Sequence, residues 1–362
     1  MSNGTSGTTT TGTQALPTPT VRLDGAQLPP EAQRDLIAIR VDHDLDAIGM
    51  LTLELRNWDA ATQRHTWSDS PLLAIGTGIE VWLGGYRPGA PSAFLGEVTG
   101  IEPVWEPDSS PTVTVRAYDF LHRLTRASVT RTFVDATDSD IAGRLAREAG
   151  LRARVTATGT RHRHVLQSNQ TDLEFLRSRA RRHGFEVFVR DRELHFREPA
   201  VGAPVTGVLR VGDEIEHFAA WLSAAGRAGR ATVRAWDPRA KQAVVGSQDS
   251  AVLPAMGGAT GGQRQADTVF GRATVTTADV PVRTRREADE LALGRLRTSA
   301  LTYVEAEAEG GGALASVRAG TTVGVQGAGT RFSGTYYVAR VEHTFAYDNR
   351  FHALCLLRRT SA

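Results

Sequence analysis

The stretch from Arg331 to Arg359 leaves this chain the least choice of fold. Side chains alternate along an extended strand, so Tyr336, Val338 and Arg340 fall on one face. Tyr337, Ala339, Val341, His343 and Phe345 fall on the other. Tyr347 to Arg350 supplies turn formers, and Leu354 and Leu356 resume the alternation. The pattern predicts a long two-stranded hairpin closing a β domain. The single cysteine, Cys355, sits within its second strand and reads as a small buried hydrophobe, so no intrachain disulfide is possible.

The same two-residue period governs most of the chain upstream. Strands are predicted at 36–42, 50–56, 80–84, 93–102 and 111–117, separated by Gly, Pro and Asp turns. Without a strong helix between them they imply an antiparallel barrel or sandwich. Trp58, Trp67, Trp82 and Trp105 are expected to pack its core and rims. A second strand-rich block is predicted at 207–211, 215–218, 230–236, 242–245, 303–309 and 323–325. Residues 246–268 read as a loop or linker.

Between the two blocks the period changes. Thr137-Asp-Ser-Asp140 opens a helix with Ile141, Leu145 and Ala149 on one side and Gly150 at its end. Thr171-Asp-Leu-Glu174 is a capping box for a second helix that buries Phe175, Leu176 and Ala180 and stops at Gly184. A hairpin follows over 185–197. Thr284-Arg-Arg-Glu287 opens a third helix, with Ala288, Leu291, Ala292, Leu296 and Ala300 as its apolar stripe. The fold class expected is α+β, mainly β. Boundaries are expected at 1–20 for a disordered Gly/Ser/Thr-rich arm, 21–125 for a first β domain and 126–203 for an α+β insert. A β segment with linker follows at 204–268, and a second β domain at 269–362 includes the helix 285–300.

The 362 residues carry 41% hydrophobic and 23% charged side chains and a net charge of +2, so no overall field points to nucleic acid or an anionic membrane. Lys241 is the sole lysine among 42 basic residues, a bias attributable to the base composition of the coding genome. No apolar run is long enough for a membrane-spanning helix, and the N-terminus lacks the features of a signal peptide. Arg161-His-Arg-His164 has two flanking arginines whose charge opposes a cation, so it reads as an exposed polar loop and not a metal site. Asp138 and Asp140 read as helix-capping residues. The basic run Arg177 to Arg182 reads as a solvated face or a docking face for an acidic partner. No nucleophile elbow, phosphate loop or dinucleotide fingerprint occurs. No catalytic residue, metal or cofactor is expected.

Four motifs, taken in order, resemble one family. They are 113–124, with Tyr118 and Asp119; 170–196, with Phe175 and Gly184; 236–242, with Trp236 and Lys241; and 334–343, with Gly334, Tyr336 and His343. Together they are similar to the phage late control D proteins, the baseplate hubs of contractile tails, and to the N-terminal part of the VgrG spikes of type VI secretion. The resemblance implies two tube-like β-barrel domains around the insert. It also implies a homotrimer that joins a sixfold inner tube to a threefold spike, with baseplate wedge proteins alongside. The nine residues named are then interface or family-motif positions. Such a protein assembles in the cytoplasm and enters the particle without inserting in a membrane or binding nucleic acid as a specific ligand. No spike-forming β-helix follows the hairpin, so the spike is expected to be a separate chain, and one hairpin edge is expected to face a neighbouring subunit. The alternatives are a tail-associated cell-wall hydrolase or carbohydrate-binding protein, and a nucleic-acid-binding protein using Arg177 to Arg182.

Overall fold

The computed structural model describes residues 19–84, 91–250, 254–256, 260–346 and 350–362. Residues 347–349 of the expected turn at 347–350, and all but the end of the 1–20 arm, lie outside them. Thr20 already opens a strand. The first block contains β1 (Thr20–Leu23), β2 (Ala26–Gln27), α1 (Pro30–Asp35), β3 (Leu36–Asp44), β4 (Met50–Arg56), β5 (Gly78–Trp82), β6 (Phe94–Val104) and β7 (Thr112–Asp119). The insert contains β8 (Ser128–Thr137), α2 (Asp138–Glu148), β9 (Arg152–Val155), β10 (Arg161–Thr171), α3 (Asp172–His183), β11 (Glu186–Arg190) and β12 (Glu193–Arg197). The remainder contains β13 (Val208–Arg210), β14 (His217–Leu222), β15 (Arg230–Asp237), β16 (Gln242–Asp249), α4 (Gly262–Phe270), β17 (Thr274–Thr277), α5 (Arg285–Leu301), β18 (Val304–Gly310), β19 (Thr322–Gln326), α6 (Gly329–Phe332), β20 (Gly334–Ala346) and β21 (Phe351–Arg359).

One antiparallel run, β14-β18-β21-β20-β3-β4-β7-β6-β5-β1-β2, joins the N-terminal and C-terminal blocks in a single sheet. No ring of strands closes among the described residues. The first block builds its core from in-register apolar pairs, Leu51 against Ala117, Leu53 against Val115 and Leu55 against Val113, all essentially unexposed. Full burial of each such Leu or Val contributes about 1.5–3 kcal/mol. A second core, around Val304, Ala306, Val323, Val338 and Leu357, lies under the other end of the sheet.

The seam between the blocks is the pairing of β3 with the C-terminal β20. Val341, His343 and Phe345 lie opposite His43, Val41 and Ile39. On the other face Arg340 grips Asp42 with bonds of 2.9 and 2.6 Å, and Arg40 reaches Glu342 at 2.6 Å. β20 thus pairs with β3, β19 and β21, and β21 pairs with β18, so neither hairpin strand offers a free edge to a neighbour.

The alternation read from the sequence also breaks within β20. The register slips between Val338 and Arg340, leaving Ala339 as an extra residue. Directly opposed residues share a face, and Val338 opposes Leu357 while Val341 opposes Cys355. Tyr336 and Val338 therefore join the face of Val341, His343 and Phe345, and Tyr337 turns to the face of Arg340.

The helices begin where their caps predict. Thr137 and Thr171 each complete a capping box, and the Thr284 side chain accepts from the Glu287 amide. α2 and α3 pack on β11-β12-β9 and on the β8–β10 ribbon around Phe120, Ile141, Leu145, Phe175, Leu176 and Phe196. Arg161 to His164 is not a loop: it opens the eleven-residue β10, paired with β8. The stretch 246–268 is not wholly linker either, since β16 extends to Asp249 and α4 begins at Gly262. α5 lies on β15 and β16 and shares with them a small core of Val233, Val244, Ala288, Leu291 and Leu296. Trp67 and Trp82 are buried, while Trp58 and Trp105 sit exposed at the rim.

Candidate functional site

The bulge at Ala339 aims Tyr337 at the insert, where its hydroxyl donates to the Glu186 carboxylate on β11 at 2.6 and 2.8 Å. Arg197 binds the same carboxylate at 2.8 Å, and Arg190 and Arg197 donate to the Ala319 and Gly320 carbonyls of the loop before β19. Burial raises Glu186 above the usual carboxylate range. Burial, with the adjacent Glu186, lifts the Tyr337 phenol well above its ordinary value.

Beside this contact lies a cavity of about 170 Å³ lined by all three parts of the chain, including His43, Asp119, Phe188, Arg190 and Arg318. Asp119, at the end of β7, accepts from the Gly49 amide at 2.9 Å and from the Leu121 amide at 2.8 Å. Burial raises its carboxyl to about 7. A Cβ on Gly49 would meet an Asp119 oxygen at 2.5 Å and His43 Nδ1 at 2.9 Å, so a side chain does not fit there. His43 donates from Nε2 to the Ala93 carbonyl at 2.7 Å, and burial lowers it to about 4. Arg318 donates to the Ala315 and Val317 carbonyls, has an Nε without a partner among the described residues, and is lowered to about 10 by burial and then by Arg190.

His343 is fully buried, donates from Nε2 to the Leu314 carbonyl at 3.2 Å, and is lowered to about 3 by burial. Its Nδ1 has no partner among the described residues. The imidazole is therefore neutral at ordinary pH and sealed from solvent. Tyr336, on the same face, donates to the Phe332 carbonyl at 2.7 Å and lies against the Arg359 guanidinium. Arg359 is itself buried and held by the carbonyls of Met256 and Ser333, not by a carboxylate. Gly334 has a φ of 142°, and a Cβ there would meet that guanidinium at 2.8 Å. Its small size thus serves Arg359 as well as the turn.

The remaining motif residues do not converge on this cavity. Tyr118, half-buried, pairs with Met50 and Glu97 across the sheet. Phe175 stacks on Phe133 at 5.6 Å in the insert core, and Gly184 is the left-handed C-cap of α3. Trp236 is 63% exposed on β15, and Lys241 sits in the following turn with a φ of 50°. Of the nine, only Asp119 lines the cavity.

The sequence reading missed the most heavily paired buried carboxylate. Thr137 and Asp140 do the capping, but Asp138 is only 1% exposed and reaches across to α3. It binds Arg179 at 2.5 Å and His183 at 2.7 Å, with His162 at 3.5 Å. Although burial opposes it, these partners hold its carboxyl far below the usual range. Two acids at i and i+2 of a helix start cannot be assigned separate tasks from spacing alone. Among the described residues no group of three His, Cys, Asp or Glu side chains could hold a metal ion. Nor is any helix there long and apolar enough to cross a membrane.

The fold has counterparts among solved structures. It is similar to the prophage MuSo2 43 kDa tail protein from Shewanella oneidensis, with a TM-score of 0.67 and 18% identity over 94% of this chain and 98% of that one. It is similar to a tail protein from Neisseria meningitidis MC58, with a TM-score of 0.66 and 12% identity over 94% and 96%. A third is the E. coli c3393 protein, described as a type VI secretion system component with structural similarity to T4 bacteriophage tail proteins gp27 and gp5. It aligns with a TM-score of 0.59 and 14% identity over 94% and 77%. At these identities the likeness is one of fold. No curated protein sequence matches the chain. The family model for the Alg8 N-terminal domain matches residues 13–346, 334 of the 362, and the chain belongs to that family.

Proposed function

We propose that this protein is a structural hub of a contractile tail or injection particle, acting without catalysis. In this reading it is a homotrimer that joins the inner tube to a separate spike protein and contacts baseplate wedge proteins. The observation that carries the reading is a fold shared over 94% of the chain with two tail proteins and a type VI secretion component. The two cores under one sheet support it further. Each end of the sheet acts as one tube-like domain, so three chains present six such units, and rings that are open in one chain close between subunits. The described ionisable groups of the central cavity support a structural role, because Asp119 and His43 are engaged by backbone groups.

Light scattering on the full chain, alone and mixed with the tube and spike proteins of the same particle, tests this. A mass three times the 39.0 kDa chain and co-elution with both proteins are expected. A chain that stays monomeric and binds neither overturns the proposal.

One observation favours a second reading, carbohydrate binding. Exposed Trp58 and Trp105 flank His65 with ring separations of 5.3 and 5.4 Å, an aromatic surface on which a sugar ring can stack. Unchanged tryptophan emission on titration with peptidoglycan fragments and chitin oligomers removes it.

A further inference from the structure

We infer that a cleft between β10 and the segment entering α5 takes an extended acidic segment of a partner protein by strand addition. The cleft, of about 460 Å³, is lined on one side by the unbroken run Thr160 to Leu166. Consecutive side chains leave a strand on opposite faces, so a run without gaps means that the strand's edge faces the cleft. That edge is open: among the described residues β10 pairs with β8 alone. An unpaired edge of eleven residues is a template for another strand.

The charges select the partner. Within the cleft Arg179 is matched by Asp138, Arg182 by Glu287 and Arg161 by Asp135 and Asp140. Arg163 and Arg283 line the same cleft, are exposed, and have no side-chain partner among the described residues. Arg181 and Arg295 are likewise exposed and unpaired in the adjoining hollow, which shares Arg179 and Arg182. Leu166, 50% exposed, and Val134, 69% exposed, add an apolar strip alongside. Arg161 and Arg163 are two residues apart and so share a face of the strand. A partner strand with a carboxylate at every second position sets its acids beside both.

Other occupants fit less well. Residues 1–20 of this chain contain no Asp or Glu. The acidic strand β18 of a second copy is already paired on both edges, with β14 and β21. No Phe, Tyr or Trp lines the cleft for base stacking, and the Glu287 carboxylate forms part of its wall. The inference does not rest on the hub reading or on a trimer.

The test is fluorescence anisotropy on the full chain, with a labelled ten-residue peptide alternating Glu and Val. Saturable binding is expected, at least about tenfold weaker for R163E/R283E and for a peptide with Pro at alternate positions, which cannot pair along the edge. Hydrogen exchange should slow across Arg161 to Leu166 when the peptide is bound. That readout on wild type, together with R163Q alone, stands if the double variant does not fold. Absence of binding overturns the inference, as does equal binding of the Pro peptide or of a folded R163E/R283E. Tighter binding of a 20-nucleotide single strand than of the peptide overturns it in favour of nucleic acid.

Discussion

Gly184 and Gly294 meet backbone to backbone where α3 crosses α5. A Cβ on Gly184 would lie 2.7 Å from the Gly294 carbonyl oxygen, and one on Gly294 would lie 2.8 Å from the Gly184 amide nitrogen. Gly184 also needs its φ of 65° to end α3. The contact locks the insert onto the long helix, and Arg182 with Glu287 and Arg297 with the His183 carbonyl reinforce it at 2.6 and 3.2 Å.

Gly294→Ala is therefore expected to destabilise the protein by about 1–3 kcal/mol, the usual range for forcing a methyl group into a packed contact. Gly184→Ala should cost more, since it adds about 1 kcal/mol for the left-handed backbone. Gly202→Ala, where a Cβ meets nothing within 4 Å, should stay within about 0.5 kcal/mol. Urea denaturation of the three variants measures the ranking.

Asp138→Asn should cost about 3–5 kcal/mol, because Arg179 would lose the carboxylate that neutralises it in a buried site, and the hydrogen bond to His183 would be weakened. Asp140→Asn, which weakens an exposed capping bond and an exposed ion pair with Arg161, should cost no more than about 1 kcal/mol. Equal losses in chemical denaturation would mean that Asp138 acts as a cap and not as the anchor of α3.

Tyr337→Phe removes one of the two side chains that engage the buried Glu186 and leaves Arg197 as the other. A loss of about 1–2 kcal/mol is expected. Amide exchange should rise in β11 and β12 more than in β3 and β4, because the hydroxyl ties the hairpin to the insert. A uniform rise across the sheet would contradict that assignment.

Stability should fall as pH drops from 6.5 towards 4. His43 and His195, lowered to about 4, and His343, lowered to about 3, are neutral when folded and charged when unfolded across that window. Unfolding therefore takes up protons there, and stability rises with pH. Asp119, raised to about 7, acts oppositely: it is protonated when folded and ionised when unfolded above about 4, so its share falls as pH rises. Among these four groups the three histidines outweigh Asp119, so together they give a net uptake of protons on unfolding near pH 5 and a slope of positive sign. Asp119→Asn should steepen the measured slope and His343→Gln should flatten it.

The extent of α2, α3 and α5 was legible because their signals are local, whereas α1, α4 and α6 were not read. Thr137, Thr171 and Thr284 cap their own first turns, and glycines close the first two helices. Most strands were legible for the same reason, since their apolar period follows from which face is buried. Arg161 to His164 was not, because an edge strand flanked by arginines lacks that period and reads as loop. The face of Tyr337 was not, because one bulged residue inverts every side chain beyond it. Neither the burial of Arg359 nor the task of Asp138 could be read, since each depends on partners from distant segments.

By itself, then, the sequence determined three of the helices with their ends, most of the strands and a mainly β chain with an α+β stretch in its middle. Only the tertiary structure decided that β20 pairs with β3, so that the C-terminal hairpin, with both edges of each strand paired, joins both blocks in one sheet. The physical reason is that backbone edges are chemically alike. Which edges meet across some 300 residues is settled by the shape of two cores and by ion pairs such as Arg340 with Asp42, none of which leaves a local period in the chain.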